Sequence, residues 1–122
     1  MIRATRRGAL AGALVLPAAA SLAKSPKRKA SGTLLLHDPS LKAGRRFAAA
    51  GHEQGDKVSA VEGDRIRFAR AVFEWAPAVV IGVTRAADEV LIADVGREMG
   101  YVPVAPPKAL AGQPAWALAR RV

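Results

Sequence analysis

Ala78-Val79-Val80-Ile81-Gly82-Val83 is an unbroken apolar run that stops at Thr84. A run of this length between turn signals suits a strand buried on both faces, as in a parallel sheet. Three shorter runs are its companions. Thr33-Leu34-Leu35-Leu36-His37 ends at Asp38-Pro39, Lys57-Val58-Ser59-Ala60-Val61 ends at Glu62-Gly63-Asp64, and Tyr101-Val102-Pro103-Val104 follows Gly100.

Helical periodicity fills the gaps between them. Over 39–52, Leu41, Gly44, Ala48 and Gly51 form one face, with Phe47 beside them. Over 64–76 the face is Ile66, Ala69, Val72, Phe73 and Ala76, and over 85–99 it is Ala87, Leu91 and Val95, widened by Val90, Ile92 and Met99. Asp38 followed by Pro39 reads as an N-cap and first helical residue, and Asp64 and Thr84 as the next two caps. Gly55 and Gly100 suit helix ends.

The expected fold is therefore a small three-layer α/β domain, β-α-β-α-β-α-β, over residues 32–107. Right-handed crossovers give a mainly parallel four-stranded sheet, for which we expect the strand order 2-1-3-4. Pro106-Pro107 begins a change of composition. In 108–122, Trp116, Leu118 and Arg120 alternate with Ala117, Ala119 and Arg121, the pattern of an added C-terminal edge strand, with a short terminal helix as its rival.

The N-terminus has a different character. Thr5-Arg6-Arg7-Gly8-Ala9-Leu10 leads into an acid-free apolar run, Ala9 to Ala23, that closes on Ser21-Leu22-Ala23. A basic head, a short apolar core and a small-residue end are the layout of an export signal. A membrane anchor would need about 20 apolar residues, whereas this run has 15 with Pro17 inside. The uniformly apolar core lacks the charged stripe of a transit peptide, and Arg6-Arg7 beside a Pro-interrupted run argues against a buried helix of the fold.

Thr5, Arg6, Arg7 and Leu10 resemble the twin-arginine signal peptides of bacteria, although Ala9 and Ala11 stand where that family commonly has phenylalanine and lysine. The resemblance covers residues 1–23 alone. It implies an address read by export machinery, delivery of an already folded cargo, and cleavage after Ala23 or Ala20. The mature chain, residues 24–122, would then be periplasmic or secreted, with no stable membrane span.

The charge of +9 invites a nucleic-acid reading, but its distribution does not support one. Residues 32–107 hold nine basic and ten acidic side chains, so the excess sits at the two ends. Lys24-Ser25-Pro26-Lys27-Arg28-Lys29 reads as a basic linker over 24–31, and no aromatic residues interleave with the basic ones to stack bases. The absence of cysteine excludes a thiol nucleophile, a thiolate metal site and covalent haem attachment.

Parallel sheets bind ligands at the carboxyl ends of their strands, where the strand order reverses. Order 2-1-3-4 delivers His37, Asp38 and Ser40 from the first loop and Thr84 and Arg85 from the third, with Glu62 and Asp64 next door. Each has a plain structural reading as well. Asp38, Asp64 and Thr84 suit caps, Arg85 could pair with Asp88 or Glu89 on its own helix, and Ser40 lacks the Gly-x-Ser-x-Gly elbow of a hydrolase. No dinucleotide or phosphate-binding glycine motif and no convincing metal spacing occur, so we expect neither cofactor nor metal.

These residues point to an exported binding or accessory protein without catalysis. It would take a small polar ligand at the strand ends, or another exported protein along its sheet edge and tail. The alternative is a small exported hydrolase or transferase that uses His37, Asp38 and Ser40, with Arg85 holding an anionic group.

Overall fold

The structure, a computed structural model, describes residues 32–121. The expected signal, with Arg6, Arg7 and Ala23, and the basic linker 24–31 lie outside the described residues. The chain runs β1 (Thr33–His37), α1 (Lys42–Glu53), β2 (Lys57–Ala60), α2 (Arg65–Glu74), β3 (Val79–Val83), α3 (Ala86–Glu98), β4 (Tyr101–Val104), a 3-10 turn (Lys108–Leu110) and β5 (Ala115–Arg120).

The sheet corrects the expected topology. It has five strands in the order β2-β1-β3-β5-β4, not four in the order 2-1-3-4. β1 pairs in parallel with β2 and β3, whereas β5 runs antiparallel to both β3 and β4, so the sheet is mixed. The C-terminal strand is no edge: it fills the gap between β3 and β4, and β4 becomes the rim. The physical reasons are local. Trp116 and Leu118 face one side of β5 and Ala115, Ala117 and Ala119 the other, which is the two-sided apolar pattern of an interior strand. β4 carries Pro103, which has no N–H to offer a second neighbour and therefore belongs at an edge.

The two sheet faces are covered unequally. α1 lies on one face, over β1 and β2. It sits close because Gly51 faces Leu35 and Val58 where a Cβ would collide with both. α2 and α3 pack together on the other face and enclose the main core, built from Leu34, Leu36, Val72, Phe73, Val80, Ile92, Tyr101, Trp116 and Leu118. The Phe73 and Tyr101 rings are tilted with centroids 4.6 Å apart, and the Tyr101 hydroxyl donates to the Pro77 carbonyl at 2.6 Å.

Helix α3 turns a different stripe inward from the one its periodicity suggests. Asp88, Ile92, Val95 and Gly96 are buried, while Val90 is 59% and Leu91 39% exposed. Asp88 goes inward because Arg65, at the start of α2, donates from Nε to its Oδ1 at 3.0 Å. In α2, Ala69, Val72 and Phe73 are buried as expected, but Ile66 is exposed.

Of the three expected caps, Asp64 alone acts as one, accepting from the backbone N–H groups of Ile66 and Arg67. Leu41 and Arg85 occupy the cap positions of α1 and α3, and neither makes a side-chain capping bond. Gly55 and Gly100, with φ of +80° and +92°, follow α1 and α3 in the left-handed conformation that glycine adopts without strain.

Candidate functional site

The crevice between the carboxyl ends of β1 and β3 holds a closed polar ring. The backbone N–H of Asp38 donates to the Val83 carbonyl at 3.0 Å, which prolongs the β1–β3 pairing by one residue and fixes where the carboxylate sits. Asp38 Oδ1 then accepts from the Ser40 backbone N–H at 2.9 Å and from Ser40 Oγ at 2.7 Å. On the other side, Arg85 Nε donates to Asp38 Oδ2 at 3.2 Å and its Nη2 to Ser40 Oγ at 2.9 Å. The loop carbonyl of Pro39 accepts from Arg45 Nη1 of α1 at 2.9 Å.

This ring explains why Asp38 does not cap α1. Its carboxylate is committed to a turn with Ser40, so the helix begins later than expected, at Lys42. Gly44 permits the tight entry, since a Cβ there would strike the Asp38 carbonyl. Asp38 is 4% exposed, whereas the Arg85 side chain is 61% exposed and reaches the ring from solvent. Burial opposes ionisation of Asp38, but the Ser40 hydroxyl, the Ser40 N–H and the Arg85 guanidinium outweigh it and hold the carboxyl below its ordinary range.

Thr84 and His37 stand beside the ring without joining it. The Thr84 hydroxyl donates to the Arg85 carbonyl at 3.0 Å and accepts from Trp116 Nε1 at 2.9 Å, so it braces β5 from within. His37 is half-buried, and its Nδ1 is enclosed without a hydrogen-bond partner. Burial pushes the imidazole below its ordinary value, helped by His52, against a backbone hydrogen bond at Ser59 and the charges of Asp38 and Glu62. Glu62 and Asp64 are exposed at the neighbouring strand end, and Asp64 is occupied by capping.

The five candidate residues therefore divide. Asp38, Ser40 and Arg85 converge, Thr84 is internal support, and His37 is an imidazole next door whose burial disfavours its charged form. The Arg85–Asp38 pair spans 47 positions and replaces the local pairing expected with Asp88 or Glu89. Arg65 pairs with Asp88 across 23 positions, a separation that spacing along one helix does not reveal. Among the described residues no three His, Cys, Asp or Glu side chains are grouped to hold a metal ion. No helix among them is long and apolar enough to cross a membrane.

A separate cleft of about 180 Å³ lies between α3 and the β4–β5 pair, lined in part by Glu89, Ala93, Pro103, Pro106 and Trp116. None of the ring residues lines it. No family model, no curated protein and no solved structure matches the chain.

Proposed function

We propose that the mature chain is an exported binding or accessory domain without catalysis, delivered folded by a twin-arginine-like route to the periplasm or beyond. The observation that carries the non-catalytic part is the closed Asp38–Ser40–Arg85 ring. A serine nucleophile needs a base whose affinity for protons suits neutral pH. The partner of Ser40 is instead a carboxylate held below its ordinary range, and the hydrogen bond that Ser40 Oγ accepts from the cationic Arg85 makes the oxygen a poorer nucleophile. His37 makes no hydrogen bond to the ring: its hydrogen bond goes to the backbone at Ser59.

The same ring suits recognition. Arg85 presents the unused part of a guanidinium at the end of β3, and Glu62 is an exposed carboxylate following β2 at the same end of the sheet. That mixture favours a small polar ligand with both donors and acceptors over a bare anion. The export part rests on the layout of residues 1–23 and the pair Arg6-Arg7.

Two experiments test the two parts separately. Changing Arg6 and Arg7 together to Lys in the full chain should abolish export, and normal export of that variant would overturn the route. The purified protein should show no labelling by a fluorophosphonate at Ser40. Labelling that disappears in Ser40→Ala would overturn the non-catalytic reading in favour of the hydrolase.

A further inference from the structure

The face of the sheet that α1 covers only in part carries the inference. Beyond β1, two rows on this face run across all three strands, Val79–Ala119–Val102 and Ile81–Ala117–Val104, beside the shorter pair Val83–Ala115, in which Val83 is buried. All six side chains of the two rows are aliphatic. No described helix lies across β5 and β4 on this side, since α1 reaches no further than β3 and α3 packs on the opposite face. Val104 is 41% exposed, Val79, Ile81, Val102 and Ala119 are half-buried, and Ala117 at the centre is buried by its neighbours. Sheets that face water alternate apolar with polar residues. Here both sides of β5 are apolar, so the half-face is built to be covered.

The size of the patch selects its occupant. Two rows across three strands span on the order of 200 Å², whereas a stable association of two chains needs about 800 Å² from each partner. A second copy seated on this patch alone falls well short. A tethered segment needs far less, because its effective concentration is in the millimolar range, about 10⁻³ M.

The chain itself supplies such a segment. Ala9 to Ala23 is 15 residues long and carries no charge. Gly32, the first described residue, accepts from the N–H groups of Ala78 and Val79, and Val79 opens the first row of this face. The nine steps from Ala23 to Gly32 reach up to about 30 Å, and the strands of the face are roughly 15–20 Å long. The entry point, the reach and the apolar character agree.

We propose that, in the uncleaved chain, the apolar run Ala9–Ala23 docks on the half-face formed by Val79, Ile81, Ala117, Ala119, Val102 and Val104. The contact shields an aliphatic surface of a domain whose main core is already closed by α2 and α3. The proposal goes beyond the export reading and does not depend on it, because it concerns the chain with residues 1–23 still attached.

The chain has no cysteine, so paired substitutions report cleanly. Full-length protein carrying Leu14→Cys and Val104→Cys is compared with protein carrying Leu14→Cys and Arg67→Cys, since Arg67 is exposed on α2, across the sheet. With a short bis-maleimide and micromolar protein, the intramolecular product at Val104 should form at least about tenfold faster than at Arg67, as a tethered contact requires. Equal rates would overturn the proposal. A Val104 to Val104 product that grows with concentration would also overturn it and identify a second copy as the occupant. A cysteine-free measurement guards against a misfolded pair: amide exchange across β4 in the full chain should quicken when Leu14 and Leu16 are both changed to Asp. No change in β4 exchange would count against the docking.

Discussion

The indole of Trp116 lies flat against Gly82, with ring atoms occupying the space where any larger residue would place its Cβ. This explains a glycine in the middle of a buried strand, where its lost packing and extra entropy would otherwise be unfavourable. It also explains how β5 enters the sheet. The ring fills the core side of the β3–β5 pair, and its N–H is satisfied by the Thr84 hydroxyl at the end of β3.

Gly82→Ala should therefore destabilise the domain by about 1–3 kcal/mol, the usual range for overpacking a core. In Gly82→Ala combined with Trp116→Leu, the loss should be smaller than the sum of the two single losses, because the residues compete for one space. Urea denaturation of the four proteins measures the coupling. Simple additivity would mean that the ring does not rest on Gly82.

Arg85→Ala tests the polar ring through its pH dependence. Asp38 has a depressed carboxyl pKa in the folded state, so its ionisation stabilises the fold above the unfolded value, about 3.9, and that stabilisation fades as pH falls through the lower folded value. Because Arg85 is largely exposed, its removal should cost no more than about 1 kcal/mol at pH 7. The gap between wild type and variant should close as the solution is acidified below pH about 4. A gap that is constant with pH would show that Arg85 acts through packing and not through the Asp38 charge.

How far these relationships were legible in the sequence depended on their range. The apolar runs ending at His37 and Val83 identified two central strands because burial on both faces leaves a continuous signature. Asp64 was readable as a cap because a cap acts on residues two and three positions away. For the same reason local spacing offers Arg85 the local partners Asp88 and Glu89. The chain instead folds β3 against β1, bringing Asp38 to Arg85 while Arg65 takes Asp88. The pairing of β5 is non-local, so spacing along the chain does not reveal it, but Pro103 in β4 and the alternation of Ala115, Ala117 and Ala119 with Trp116 and Leu118 carry part of the information.

His37 should impose its own pH dependence, with a slope of known sign. Burial lowers its folded-state pKa below the ordinary 6.5, so the unfolded chain binds the proton more readily. Stability should therefore fall as pH drops through 6.5 towards the lower folded value, and this loss is complete below it. His37→Gln should flatten that part of the stability profile. The imidazole titration followed by NMR should show a midpoint below that of a free histidine. A midpoint at or above 6.5 would mean that the carboxylates of Asp38 and Glu62 prevail over burial.

Ala76 offers a test in the opposite direction, a substitution expected to stabilise. It follows α2 with φ of +59°, the single non-glycine residue with positive φ among the described residues, and its N–H donates to the Phe73 carbonyl to close the helix. A Cβ in this left-handed region is unfavourable by roughly 1–2 kcal/mol, while glycine adds about 0.4–1 kcal/mol of unfolded-state entropy. The strain exceeds the entropy, so Ala76→Gly should raise stability by up to about 1 kcal/mol. Ala76→Val should do the reverse, since a β-branched side chain tolerates positive φ least. Thermal unfolding of both variants decides the matter. A less stable glycine variant would show that the Ala76 methyl contributes more packing than its backbone conformation costs.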